Sequence, residues 1–144
     1  MELLEKIISI QRKNPHMLLC GSYALMLADV MDERPMGDID FVINSKDRPR
    51  FSFISNLKID YNYPEFHKDG YIYYHGRYKD LNINLLVFND DIGLEKETIT
   101  NSGKTISVQK IDHILNWKKK YNRPKDQKDL ENIANKCLEE IIAQ

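Results

Sequence analysis

Cysteine is scarce in this chain: Cys20 and Cys137 are the two in 144 residues, far apart and outside any C-x-x-C pattern. Neither a zinc site nor a disulfide framework is indicated, and a reducing cytoplasm is the expected setting. An excess of either charge is also missing. Lys plus Arg number 21 and Asp plus Glu 22, a formal net charge of -1. The chain therefore lacks the basic surplus of a general nucleic-acid coat, and any polyanion must be held locally. No apolar run approaches the ~20 residues of a membrane span. The N-terminal segment carries Glu2, Glu5 and Lys6 among its apolar positions, unlike a signal peptide, so no membrane partner is expected. Internal repeats, low-complexity tracts and linkers are absent too. The expectation is one domain over residues 1–144, with a sheet core over about 1–108 and a helical part over about 109–144.

What is present is a sequence of alternating periodicities. Leu3, Leu4, Ile7 and Ile8 recur at helical spacing until Asn14-Pro15, which predicts an amphipathic helix covering a sheet. Met17 to Cys20 reads as a short strand that meets Gly21-Ser22, and Ala24, Leu25, Ala28 and Met31 then repeat with helical period. After the Arg34-Pro35-Met36-Gly37 turn, Asp38 to Ile43 alternates acid and apolar residues as a strand. The stretch from Lys46 to Asn56 has no regular reading, because Pro49 opposes one element while Phe51, Phe53 and Ile54 call for burial. Tyr71–Tyr74 and Leu81–Phe88 read as paired strands, with His75-Gly76 and Lys79-Asp80 as turn material. A second hairpin is expected about Asn101-Ser102-Gly103, between Glu97–Ile99 and Thr105–Val108. Ile111, Ile114, Leu115 and Lys118 share a helical face, Pro124 breaks the run, and Leu130 to Ile141 carries the stripe of a last helix.

Two features bear on chemistry. A strand that feeds Gly21-Ser22 into a helix N-terminus presents free backbone N–H groups and the positive end of the helix dipole, and Ser22 adds a hydroxyl donor, so the turn suits a phosphate. The same two residues also suit a plain turn glycine and a helix cap. Asp38 and Asp40 lie two apart on a strand and project from one face, where like charges are costly unless a cation or helix terminus offsets them. Mg²⁺ would do so with oxygen ligands and keep positions open for substrate phosphates. Solvated acids on a strand edge are the ordinary alternative. The two features together point to phosphate chemistry. The four histidines, His16, His67, His75 and His113, have no metal spacing. The tyrosines between Tyr61 and Tyr78 could stack a base or simply pack strands.

The run Leu18-Leu19-Cys20-Gly21-Ser22-Tyr23-Ala24-Leu25, followed by Arg34-x-x-x-Asp38-Ile39-Asp40, resembles the polymerase-beta-like nucleotidyltransferase superfamily, particularly its abortive-infection toxin (AbiEii-like) branch. Lys118 on a helix, then Arg123-x-Lys125-Asp126-x-x-Asp129-Leu130, resembles the C-terminal stretch of that branch. The resemblance implies an α/β (α+β) nucleotidyltransferase fold: a mixed twisted sheet of about four to six strands flanked by helices, with C-terminal helices. It implies that Gly21 and Ser22 hold nucleotide phosphate, with Arg34, Lys125, Asp126 and Asp129 as further nucleotide-site residues. Asp38 and Asp40 would be ligands for Mg²⁺, and Lys118 would face the nucleotide or acceptor. The reaction implied is transfer of a nucleoside monophosphate from a nucleoside triphosphate to an RNA, protein or small-molecule hydroxyl. The charges at Lys118–Lys120, Asp126 and Asp129 also sit where helix dipoles favour them.

The chain departs from that pattern at two positions. Met36 stands where the branch has Thr. More consequentially, Ile83-Asn84-Leu85-Leu86 matches the strand that carries a third carboxylate, so Asn84 occupies a catalytic position with a neutral amide. An amide offers a carbonyl to a metal but cannot take a proton from an attacking hydroxyl. Asp80, Asp90 and Asp91 are the acids nearest in sequence. Three readings follow: an active Mg²⁺-dependent nucleotidyltransferase, an inactive relative that binds nucleotide or a protein partner in a toxin–antitoxin or defence setting, and a purely structural α/β domain.

Overall fold

The computed structural model describes residues 2–88 and 94–143, so Asp90 and Asp91 lie outside the described residues. Its first helix, α1 (Leu3–Lys13), buries Ile7 and Ile10 and places Arg12 and Lys13 at the negative end of the helix dipole. Gln11 donates to the carbonyls of Met17 and Ser107 and so fastens this helix to the sheet. The strands are β1 (Leu18–Cys20), β2 (Asp38–Asn44), β3 (Leu57–Ile59), β4 (Tyr71–Tyr78), β5 (Leu81–Phe88), β6 (Lys96–Asn101) and β7 (Lys104–Gln109). They form one seven-stranded mixed sheet in the order β3-β4-β5-β2-β1-β7-β6. β2 runs parallel to β5 and β1 parallel to β7; the other neighbours are antiparallel.

Strand alternation sorts the side chains onto two faces. Ile39, Phe41, Ile43, Ile83 and Leu85 point one way and are fully buried or nearly so. On that face α3 (Phe51–Ile54) brings Phe53 edge-on to Phe41 and Tyr78, at 6.3 and 5.0 Å between centroids. Asp38, Asp40, Asn84, Leu86, Phe88 and Tyr73 point the other way. There α4 (Pro64–Lys68) and α5 (Ile111–Tyr121) bring Phe66 and Trp117 against Tyr71 and Tyr73.

Both hairpins turn on two residues with positive φ, Lys79-Asp80 (48° and 64°) and Ser102-Gly103 (53° and 75°), the geometry that matches the twist of paired strands. Three expectations need correction. The helix after Gly21, α2 (Gly21–Leu27), stops short of Met31. Asp29 adopts φ 59°, and Val30 N–H bonds back to Leu25 O while Asp29 N–H bonds to Met26 O, a helix-ending motif usually built on glycine. His75-Gly76 is strand and not turn. Gly76 lets β3 approach so closely that an added Cβ would lie 2.3 Å from the Asn56 carbonyl oxygen. That approach makes room for β3, a three-residue strand too short to leave a periodic signal, and the sheet has seven strands rather than four to six.

The last helix, α6 (Pro124–Ala143), begins at a proline, whose missing N–H costs nothing in the first turn. Asp126 reaches back to accept from the Arg123 N–H at 3.1 Å. Asn122, at φ 48°, makes the turn from α5. Among the described residues, no helix is long and apolar enough to cross a membrane.

Candidate functional site

The parallel register of β2 and β5 sets Asp40 beside Asn84. The Asn84 Nδ2 amide group donates to Asp40 Oδ1 at 2.8 Å and Asp38 Oδ2 at 3.2 Å, while its Oδ1 lies 2.6 Å from His75 Nδ1. An ionised carboxylate only accepts, so the amide must turn its NH₂ edge toward the pair and its carbonyl toward His75. That orientation in turn requires His75 Nδ1 to carry the proton. Asn84 thus sits on the face predicted for the third acid, and its amide supplies the positive edge on which two carboxylates converge. Burial raises the Asp40 carboxyl above its ordinary range, with Asp38 adding to the effect and Asn84, Lys125 and Lys118 opposing it. A group so raised destabilises the fold when ionised, above its folded-state pKa, and ceases to do so as pH falls through that value. The double variant Asp38→Asn, Asp40→Asn is therefore expected to be as stable as the parent or more so at neutral pH without metal, within about 0.5 kcal/mol on the unfavourable side. A thermal melt showing severe destabilisation would make the pair structural.

Gly21 is required here twice over. Its φ is +68°, and an added Cβ would lie 2.1 Å from Asp40 Oδ2, so the α2 turn and the carboxylate occupy adjoining space that admits no side chain. Gly21→Ala is expected to cost about 1–2 kcal/mol for the left-handed backbone alone. It should also push Asp40 off its contact with Asn84, which the Asn84 side-chain amide resonances would report.

Ser22 and the C-terminal charges build a second cluster. The Ser22 hydroxyl donates to Asp129 Oδ2 and accepts from Lys118 Nζ at 3.2 Å and from Arg34 at 3.1 Å. Lys118 Nζ also donates to Asp129 at 3.0 Å and lies 3.5 Å from Asp126, which Arg123 grips through its Nε at 2.7 Å. Arg34 reaches Asp129 Oδ1 at 2.9 Å. Lys118, Asp126 and Asp129 are buried, so these ion pairs pin the start of α6 onto α2 and α5. Burial alone would raise the Asp129 carboxyl, but the Ser22 hydrogen bond and the charges of Lys118 and Arg34 hold it below the ordinary carboxylate range.

A cavity of about 270 Å³ opens between the two clusters. Asp38, Asp40, Gly21, Ser22, Asn84, Arg34, Lys118 and Lys125 all line it, so the structure brings these predicted residues together. Asp126 and Asp129 do not line it and act on it through the cations they hold. Asp80 stays at the β4–β5 turn. Sequence reasoning gave Trp117 and His75 no place in the site, named Arg123 only within the C-terminal stretch, and named Tyr73 only among tyrosines that could stack a base or pack strands. Arg123 lines the cavity with its guanidinium 4.9 Å from the Tyr63 ring centroid, Trp117 and Tyr73 form an aromatic wall, and His75 stands behind Asn84. Cys20 lines the cavity too, but burial and the nearby Asp40 raise its thiol well above its ordinary value, so it is no nucleophile.

Among the described residues, no group of three or more His, Cys, Asp or Glu side chains is placed to hold a metal. The donors nonetheless fit one hard cation. Asp38 and Asp40 offer oxygens that converge on a single nitrogen within 3.2 Å, and Asn84 offers a carbonyl once its amide is reversed.

No family model matches the chain, and no curated relative does. Among solved structures, a candidate nucleotidyltransferase from Thermotoga maritima aligns with a TM-score of 0.53 over 94% of this chain and 96% of its own, at 11% sequence identity. The chain has a nucleotidyltransferase fold. A second candidate nucleotidyltransferase, from H. pylori, reaches a TM-score of 0.43 at 24% identity and covers 79% of this chain and 55% of its own. In the nucleotidyltransferase fold described here, the sheet, the turn at Gly21 and the pinned α6 are what place the two clusters around one cavity; the likeness itself does not specify a substrate.

Proposed function

We propose that the cavity binds a nucleoside triphosphate together with Mg²⁺ and supports transfer of its nucleoside monophosphate to a hydroxyl of an RNA or protein acceptor. The observation that carries this reading is the convergence of Asp38 and Asp40 beside the Gly21 turn, in a cavity that Arg34, Lys118, Arg123 and Lys125 also line. Arg34, Lys118, Arg123 and Lys125 balance Asp38, Asp40, Asp126 and Asp129 charge for charge. A site of zero formal charge does not by itself favour a triphosphate, which is why a cation belongs to the reading.

Asp38 and Asp40, with the Asn84 carbonyl, would hold Mg²⁺, which when bound would offset the triphosphate charge and polarise the transferred phosphoryl group. Lys125 forms no ion pair among the described residues; its ammonium lies 5.5 Å from the Tyr63 ring centroid and it lines the cavity, where it would meet a phosphate. Arg123 stands beside it, held in place by Asp126 and stacked on Tyr63 and Phe66. Trp117 and Tyr73 offer the apolar wall a base requires. In the reaction the acceptor oxygen bonds to the α-phosphorus, the bond to pyrophosphate breaks, and the hydroxyl proton passes to solvent. Asn84 cannot assist that last step, so turnover is slow. The C-terminal Lys118 helix and the Arg123–Leu130 stretch favour the abortive-infection toxin branch within this reading.

Asn84 favours a second reading, an inactive member that binds nucleotide for regulation. Incubation with each labelled nucleoside triphosphate, Mg²⁺ and total RNA or cell extract separates the two. Covalent label on RNA or protein is the expected result. Binding without transfer supports the second reading, and neither binding nor transfer contradicts both.

A further inference from the structure

We infer that the Asn84 amide is reversible and that His75 positions it: facing two ionised carboxylates and no cation, the amide turns its NH₂ edge to Asp38 and Asp40, whereas with Mg²⁺ bound its carbonyl would face the metal and the tautomer of His75 would exchange. This rests on the Mg²⁺ reading above and adds to it a residue that touches neither metal nor nucleotide.

The inference follows from hydrogen-bond polarity along one row of the sheet. The register of β2, β5 and β4 lines up Asp40, Asn84 and His75 as direct neighbours. The contacts between them are short at both ends, 2.8 Å from Asn84 to Asp40 and 2.6 Å from Asn84 to His75. Asn84 is buried, so neither end of its amide can turn instead to bulk water without losing a partner. Without a cation the carboxylates accept, Asn84 Nδ2 donates to them, Asn84 Oδ1 accepts from His75, and His75 Nδ1 must bear the proton. A cation between the carboxylates repels the NH₂ edge and attracts the carbonyl. Reversal of the amide then presents NH₂ to His75, which accepts only if Nδ1 is bare and the proton sits on Nε2. No net proton is taken up or lost. Imidazole is the one neutral side chain that can donate or accept at the same atom by exchanging tautomers, so His75 leaves both amide orientations fully bonded. His75 is exposed, and its Nε2 would change from acceptor to donor when the metal arrives. Occupancy of a buried site is thereby written onto the surface of β4.

The test is ¹⁵N NMR of His75 in the full chain at about pH 8.5, where free imidazole is neutral, titrated with MgCl₂ against a NaCl control of equal ionic strength. Calorimetry on the same samples reports whether Mg²⁺ binds. The expected result is a protonated Nδ1 in the metal-free protein and a protonated Nε2 at saturating Mg²⁺, with no change in NaCl. The variant Asn84→Asp supplies the control, since its carboxylate can accept from Nδ1–H in both states and the His75 tautomer should stay on Nδ1 while Mg²⁺ still binds. Mg²⁺ binding to the parent chain with an unchanged tautomer overturns the inference and leaves the metal reading standing. A tautomer exchange that persists in Asn84→Asp overturns it as well, because His75 would then be answering the metal's field rather than the amide. Absence of Mg²⁺ binding overturns both.

Discussion

Asp129→Leu is expected to destabilise the folded chain by about 3–5 kcal/mol at neutral pH, because breaking a buried ion network from one side leaves the opposing charges uncompensated. Asp129 receives the Ser22 hydroxyl, Lys118 Nζ and the Arg34 guanidinium, and the buried Lys118 would keep a single carboxylate, Asp126 at 3.5 Å, besides the Ser22 hydroxyl at 3.2 Å. Because the Asp129 carboxyl is held below its ordinary range, its contribution is complete above the unfolded-state pKa and is lost as pH falls through the folded-state value. The stability difference between parent and variant should therefore narrow in acid. Urea unfolding at several pH values measures both effects. A neutral-pH loss under about 1 kcal/mol would show that α6 is held by its apolar contacts and not by this network.

Asn84→Asp should produce the largest change in function. Without metal it brings a third carboxylate to within hydrogen-bond reach of Asp38 and Asp40, which lowers stability and raises the group's carboxyl pKa values. With Mg²⁺ the added charged oxygen should tighten metal binding by roughly tenfold or more, and the thermal midpoint should rise with Mg²⁺ concentration as linkage requires. Nucleotidyl transfer should appear or increase by about 10²-fold, the lower range for a positioned general base. Brisk transfer by the parent chain, with Asn84→Asp neutral or harmful, would mean that another acid completes the site.

Much of this site is legible in the sequence. Gly21-Ser22, Asp38 and Asp40 stand out because strand alternation places both acids on one face and a Gly-Ser turn beside them. Asn84 was legible as well, once Leu81 to Phe88 was read as a strand. His75 was within reach: counting outward from a two-residue turn at Lys79-Asp80 pairs His75 with Asn84, the register observed. It was missed because His75-Gly76 reads as turn material, and nothing local reveals that Gly76 serves β3 instead. The roles of Asp126 and Asp129 could not be told from spacing, because an acid near a helix start suits a ligand, a cap or an ion pair equally. Only the packing of α6 on α2 and α5, joined across some hundred residues by Ser22 and Asp129, shows which side chains they meet. The same packing brings Arg123 and Trp117 to the cavity.

A cavity that takes a nucleoside triphosphate through a cation held by Asp38 and Asp40 must bind it only when both the cation and the two carboxylates are present. Calorimetric titration of each nucleoside triphosphate into the parent chain and the Asp38→Asn, Asp40→Asn variant, with Mg²⁺ and with EDTA, tests it most directly. Mg²⁺-dependent binding is expected in the parent, weaker by at least about tenfold in EDTA, with one weak affinity in the variant under both conditions. Equal affinity in the parent with and without Mg²⁺, or a variant that binds as the parent does, would contradict it.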